Sequence, residues 1–212
     1  MELVAVDDQS EESGSFLGMQ KLVQSKVVAI VGPIFSSHVV AVALVNHESK
    51  ILGISPTASG PRVALDENGK VRPFIFKLSS NDSSQGLAMA TFSRKSLKAN
   101  TAVIYIDKNS DYSKRMAKNF EEKFIQAGGR ILSQQSCRQA DKDFKETLLK
   151  IKATNPDVIF IPGYFPEVGI IIKQSRELGI KNFILGGDGW DSPRLATIAG
   201  KEPSSFIALS YD

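Results

Sequence analysis

Polar residues placed just after apolar runs mark where this chain could do chemistry. Tyr164 follows Val158-Ile-Phe-Ile161, and Asp188 follows Phe183-Ile-Leu185. Asp111 and Tyr112 come after Ala102-Val-Ile-Tyr-Ile106. Ser36 and Ser37 come after Val27-Val-Ala-Ile-Val31, and Thr57, Ala58 and Ser59 after Ile51-Leu-Gly-Ile54. Short apolar runs of this kind read as buried strands, and open α/β sheets bind ligands beyond the carboxyl ends of their strands. The first-half residues suit an anion, because hydroxyls and the free N–H groups of a helix start are neutral and partly positive donors. The second-half residues suit a cation, with Asp188 as counter-charge and two phenols beside it. An anion site and a cation site together describe a zwitterion, which among metabolites means an α-amino acid. Taken singly, Ser36 and Ser37 are helix caps and Asp188 is a turn residue between glycines; only the combination points to a ligand.

Reaction chemistry finds little support. His38 and His47 lie in a helical stretch with no Cys or Asp spaced to form a triad, so each reads as a surface or packing residue. There is no G-x-S-x-G, no H-E-x-x-H and no metal-ligand cluster. Gly186-Gly187-Asp188-Gly189 lacks the spacing of a dinucleotide fingerprint, and no Gly-Lys-Ser/Thr follows a strand. The reading is therefore not an enzyme, with no cofactor and no metal.

The elements that must position these residues alternate. Strands are expected over 3–6, 27–31, 51–54, 74–78, 102–106, 130–135 (weaker), 157–161, 183–185 and 204–210. Helical periodicity covers 10–25, 39–47 and 83–98. Met116, Phe120 and Phe124 make an i, i+4, i+8 stripe on a further helix, which Gly128-Gly129 ends. Ser36 or Ser37 is placed to cap the second helix. Asp143 and Glu146 look like a capping box for a helix over 144–153. Pro166 and Gly179 bracket the helix between the strands before Tyr164 and Asp188, and Ser192-Pro193 opens a short helix closing at Gly200. Residues 61–72, rich in Gly, Pro, Asp and Asn, read as an exposed loop. The polar segment 79–84 is the candidate domain crossing. This βα alternation predicts an α/β fold of two Rossmann-like lobes, with parallel sheets flanked by helices.

The bulk properties narrow the partners. Of 212 residues, 42% are hydrophobic and 23% charged, an ordinary globular balance. A net charge of +3 without a Lys/Arg cluster argues against nucleic acid. The single cysteine, Cys137, excludes an internal disulfide. No apolar run reaches the roughly 20 residues of a membrane span. These residues hold no signal-peptide pattern, and Met1 runs straight into a strand-like segment, so the start reads as internal to a fold.

Several motifs occur together and in order: Val31-Gly-Pro-Ile-Phe-Ser-Ser37, Ile54-Ser-Pro-Thr-Ala-Ser59, Asp82-Ser-Ser-Gln-Gly86, Asp111-Tyr-Ser113, Pro156-Asp-Val-Ile-Phe160, Pro162-Gly-Tyr-Phe-Pro-Glu167, Lys173-Gln-Ser-Arg-Glu-Leu-Gly179 and Leu185-Gly-Gly-Asp-Gly-Trp-Asp191. Over nearly the whole chain the pattern resembles the periplasmic binding proteins of branched-chain amino acid ABC transporters, the leucine/isoleucine/valine-binding type. The resemblance implies a type I periplasmic binding fold without enzymatic activity, closing by a hinge on an amino acid held in the cleft between two lobes. It implies that Ser36 and the segment Thr57, Ala58 and Ser59 hold the ligand carboxylate and that Asp188 holds its ammonium. Tyr112 and Tyr164 would line the second lobe, and Ile34 and Phe35 would border the side-chain pocket. The implied partner is an ABC transporter permease and the implied location periplasmic or extracytoplasmic. Ser59 stands where threonine is usual, and Asp188 is the shorter of the two acids found at its position. Against the family's length, residues 1–80 would be a partial N-terminal lobe, and 81–210 a nearly complete C-terminal lobe ending near the second hinge crossing. An incomplete first sheet would leave apolar surface for self-association. A ligand-sensing domain of a receptor or regulator is the alternative reading.

Overall fold

A computed structural model describes residues 2–79, 81–138, 140–200 and 206–208. The chain divides into two compact units, Met1–Asn81 and Asp82–Asp212. In the first unit α1 (Glu12–Gln24), β1 (Ala29–Val31), α2 (Ser36–Ser49), β2 (Leu52–Ser55), α3 (Pro61–Ala64) and β3 (Ile75–Lys77) follow one another. The three strands form one parallel sheet in the order β1-β2-β3. Met19, Ile30 and Val42 fill one core cluster, and Val39, Ala43, Ala58, Val63 and Ile75 another. Strand residues alternate between sheet faces. The face carrying Ile30 and Ile75 is therefore covered, while Val31, Leu52 and Phe76 on the other face are exposed.

The second unit runs α4 (Asp82–Lys95), β4 (Thr101–Asp107), α5 (Asp111–Gln126), β5 (Arg130–Cys137), α6 (Lys145–Thr154), β6 (Val158–Phe160), α7 (Phe165–Glu177), β7 (Phe183–Leu185), α8 (Pro193–Ala199) and β8 (Phe206–Ile207). Its sheet is parallel throughout, in the order β5-β4-β6-β7-β8. Ala102, Ile104, Val158, Phe160 and Leu185 pack beneath α4 and α5. Val103, Tyr105, Ile159, Ile161 and Ile184 pack beneath α6, α7 and α8. Apolar residues at every position are what a strand buried on both faces requires. The stripe Met116, Phe120 and Phe124 is fully buried, and Phe120 stacks on Phe160 with ring centroids 4.1 Å apart.

Five local expectations change. Residues 3–6 form no strand, because among the described residues no neighbouring strand bonds to them. Asp7 and Asp8 instead turn the chain into α1, their carboxylates accepting the N–H groups of Gln9 and Ser10. Neither Ser36 nor Ser37 caps α2: Phe35 occupies the N-cap and Ser36 is the first helical residue. The loop expected over 61–72 contains α3, begun by Pro61 at its start, and a bridge from Leu65 to Val71. The Asp143–Glu146 capping box does not form. Phe144 is the N-cap, and its N–H donates to Gln174 Oε1 at 2.8 Å. β5 runs two residues longer than expected, to Cys137. Of the strand expected over 204–210, Ser204, Ser205, Leu209 and Ser210 lie outside the described residues, as does Ser80 of the expected crossing.

Asp157 ties the starts of two strands together. Its Oδ2 accepts the N–H groups of Asn100 and Thr101 at 2.7 and 2.8 Å and the Thr101 hydroxyl at 3.0 Å. Burial works against ionisation, but these bonds and the charge of Arg94 outweigh it and hold the carboxyl below its ordinary 3.8. A depressed folded value means the contribution is complete above 3.8 and is lost as pH falls through the lower folded value. Asp157→Asn is expected to flatten the fall in unfolding midpoint below about pH 4. Midpoints measured from neutral pH downward check this, and parallel curves for the two proteins would contradict it.

Candidate functional site

In the second unit the chain passes from β4 outward to β5, then back across to β6, so the strand order reverses between β4 and β6. The helices that follow these two strands, α5 and α7, lie on opposite faces. This is the topological switch point, where α/β sheets leave a crevice for ligands. Tyr112 stands in the first turn of α5 and Tyr164 is the N-cap of α7, so each flanks that point. Their rings stack with centroids 5.2 Å apart. Ser110 fixes the start of α5 by accepting the Ser113 N–H, while the Ser113 hydroxyl accepts the N–H of Asp107.

Asp188 opens a short 3-10 turn, Asp188–Trp190, just beyond β7. The turn packs directly on the tyrosines. Tyr112 donates its hydroxyl proton to Asp188 Oδ1 at 3.0 Å and accepts the Gly189 N–H at 3.2 Å. Trp190 is buried, and its indole N–H donates to the Ile161 carbonyl. Glycine is needed beside Asp188 for room: a Cβ on Gly187 would lie 2.8 Å from the Tyr112 hydroxyl and 2.5 Å from Met116 Cε. Asp188 is half-buried. Among the described residues no Lys or Arg pairs with it.

Tyr112 is only 3% exposed, so its hydroxyl serves the site by holding Asp188. The signal for this was available: Tyr112 extends the stripe of Met116, Phe120 and Phe124 back by one more i+4 step. Burial, and then the charge of Asp188, push the Tyr112 phenol well above its ordinary value. Burial chiefly, with the charges of Asp188 and Asp107, raises Tyr164 likewise. Both phenols therefore stay protonated, and Tyr112 remains a donor to the carboxylate. Tyr112→Phe keeps the stack but removes the hydroxyl from Asp188 and from the Gly189 N–H. Losing one partner of a buried bond costs about 1–3 kcal/mol. Denaturant unfolding should show a loss of that size, and an unchanged midpoint would contradict the bond.

In the first unit, the loops after β1 and β2 are bonded to each other. Ser36 Oγ accepts the Gly60 N–H at 3.1 Å, Thr57 Oγ1 donates to the Ile34 carbonyl at 2.8 Å, and Ser55 Oγ donates to the Pro33 carbonyl at 2.6 Å. Ser36, Ala58 and Ser59 are buried, whereas Thr57 and Ile34 are exposed. The Ala58 N–H donates to Ser55 Oγ, and the Ser59 carbonyl accepts from Lys77. Phe35 is half-buried, with its ring edge-on to His38. Ser36 and Thr57-Ala58-Ser59 thus share one bonded corner at the carboxyl ends of two strands.

One cluster was invisible in the spacing. Ser15 donates to Asp8 Oδ2 at 2.7 Å and sits 2.9 Å from His38 Nδ1. With the hydroxyl proton on the Asp8 side, Nδ1 is the donor to Ser15 Oγ. A catalytic triad needs the histidine between serine and carboxylate, bonded through opposite ring nitrogens. Here both partners meet the same ring nitrogen, Nδ1 lying 2.9 Å from Ser15 Oγ and 3.4 Å from Asp8 Oδ2, and Ser15 and His38 are 3% and 2% exposed. The cluster fastens the N-terminal segment to α1 and α2. Burial and then the charge of Asp107 push the half-buried Cys137 thiol up to about 12, which disfavours the thiolate form. Among the described residues no group of His, Cys, Asp or Glu could hold a metal ion, and no helix is long and apolar enough to cross a membrane.

Comparison with known proteins gives one consistent result. The sequence profile of the family described as periplasmic binding protein matches residues 1–210. An amino acid binding protein from Pseudomonas aeruginosa is 28% identical over 201 residues, 94% of this chain and 52% of that protein. The crystal structure of a leucine binding protein from Thermotoga maritima superposes with a TM-score of 0.86 at 35% identity, covering 94% of this chain and 56% of that one. The branched-chain amino acid transporter substrate binding protein from Streptococcus pneumoniae, solved with isoleucine, gives 0.85 at 33% identity, with 93% and 55% covered. The chain spans about half the length of the curated relatives it matches.

Proposed function

The chain belongs to the periplasmic binding protein family, and from that premise we propose that it binds an aliphatic, branched-chain type α-amino acid for delivery to an ABC transporter permease outside the cytoplasm. The family is one of substrate-binding proteins rather than enzymes. The observation that carries the proposal is Asp188: a half-buried carboxylate at the carboxyl edge of a parallel sheet, oriented by Tyr112, with no cationic side chain paired to it among the described residues. Such a carboxylate is costly to keep partly desolvated without a counter-charge, and a ligand ammonium supplies one. The ring of Tyr164 lies beside it, stacked on Tyr112.

The first unit, taken by itself, offers donors suited to a carboxylate. The amides of Ser36, Ser37 and His38 precede the first intrahelical bond of α2, from Val39 to Phe35, and carry the positive end of the helix dipole. Ser36 adds a hydroxyl that accepts the Gly60 N–H and keeps its own proton to donate, whereas the Thr57 proton is given to the Ile34 carbonyl and leaves Thr57 to brace the corner. Ile34, 49% exposed, provides apolar surface for an aliphatic side chain. The isoleucine of the Streptococcus pneumoniae complex supports this ligand class.

A thermal-shift screen of the protein against all common amino acids and their des-amino analogues tests the proposal. Stabilisation by leucine, isoleucine or valine and none by the matching des-amino acids is the expected result. Stabilisation by des-amino acids alone would overturn the ammonium assignment.

A further inference from the structure

Gln85 also grips the Asp188–Trp190 turn, at its main chain. It stands in the first turn of α4, 103 residues from Asp188 in sequence, and its Oε1 accepts the Asp188 N–H at 3.0 Å. Gln85 is 5% exposed. A Cβ on Gly187 would lie 2.7 Å from that oxygen, so the turn sits directly on the amide. The sequence places Gln85 four residues before Met89 and eight before Ser93, both buried, which puts a polar residue on the inward stripe of α4. A buried polar group on a core stripe needs specific partners, and the main chain of Asp188 is one of them.

Asp188 is thus held at two independent points. Gln85 fixes its main chain and Tyr112 fixes its side chain. With the N–H anchored, the Asp188 Cα is set. With Oδ1 bonded, the rotamer is set as well. We propose that Gln85 is a positioning residue for the ammonium-binding carboxylate, an inference that rests on the function proposed above. It acts through Asp188, by the bond to its main chain. A neutral amide suits the task, because it accepts a hydrogen bond without bringing a second negative charge beside Asp188.

The test compares the unmodified protein with Gln85→Leu, which removes the acceptor, and Gln85→Glu, which keeps an oxygen at similar reach. The first reading is amide hydrogen exchange by NMR. The Asp188 N–H is expected to be protected in the unmodified protein, to exchange at least about tenfold faster in Gln85→Leu, and to recover in Gln85→Glu, with β4 and β6 amides unchanged. Rapid Asp188 exchange in the unmodified protein overturns the anchor without any variant having to fold. The second reading is calorimetry with L-leucine and with 4-methylpentanoate, which lacks only the ammonium. Gln85→Leu is expected to weaken L-leucine by about tenfold and 4-methylpentanoate by less than about twofold. Equal losses on both ligands would make Gln85 a structural residue and overturn the positioning role. Failure of the unmodified protein to bind L-leucine would count against the proposed function, while the exchange reading still decides whether the anchor exists.

Discussion

Asp188→Ala is expected to remove about 3–5 kcal/mol of affinity for an aliphatic amino acid, a loss of two to three orders of magnitude or more. The size follows from what is left behind. The ligand ammonium would enter the site with its counter-charge gone and its hydration lost, and removing one member of a desolvated ion pair costs more than the pair contributes. The fold should lose less, about 1–3 kcal/mol, because the buried Tyr112 hydroxyl is left without its acceptor. Asp188 is half-buried and begins a three-residue turn, and its main-chain bond to Gln85 survives the change. Calorimetry with L-leucine and L-isoleucine, alongside a denaturant titration, separates the two effects. Weak binding by a variant that still unfolds cooperatively, with stability lowered by no more than about 1–3 kcal/mol, is the expected pair of results. Unchanged affinity in a folded variant would remove Asp188 from the site.

Phe120→Ala should do the reverse, lowering the stability of the second unit by about 3–5 kcal/mol. Phe120 has no exposed surface. Its ring stacks on Phe160 of β6 at 4.1 Å and on Phe124 of its own helix at 5.3 Å, so truncation opens a cavity between α5 and the sheet. The surrounding atoms belong to a helix and a central strand that cannot collapse far, which puts the cost near the top of the usual range. Denaturant unfolding measures it, and a loss below about 1 kcal/mol would contradict the packing. Any affinity lost with it would be indirect, because α5 carries Tyr112 at its start.

The contrast between these residues shows what a sequence reveals. Phe120 is legible because three apolar residues at i, i+4 and i+8 leave little choice of face, and Gly128, at a φ of +81°, ends its helix where the sequence says it should. The strands before Tyr164 and Asp188 are legible because their apolar runs are too short for a helix and are ended by Pro and Gly. Tyr112 is half legible: its position after a strand suggests a site, and its place on the inward stripe says that it is buried. The expected strand over 3–6 has suitable residues, but pairing depends on a neighbour far along the chain, which propensity does not supply. The capping box at Asp143 fails for the same reason, since Gln174, 30 residues away, takes the N–H of Phe144. Pro61, by contrast, was a local helix-start signal that the loop reading passed over. Separations of 30 and 103 residues, as in His38 with Asp8 and Gln85 with Asp188, can be read only from the folded chain.

The most direct test is a crystal structure of the protein grown with L-leucine. The ammonium nitrogen should lie within hydrogen-bond reach of an Asp188 carboxylate oxygen, about 2.7–3.0 Å. The Tyr112 hydroxyl should still be bonded to Oδ1 and the Asp188 N–H to Gln85. A leucine whose ammonium is paired elsewhere, with Asp188 facing solvent, would contradict the account.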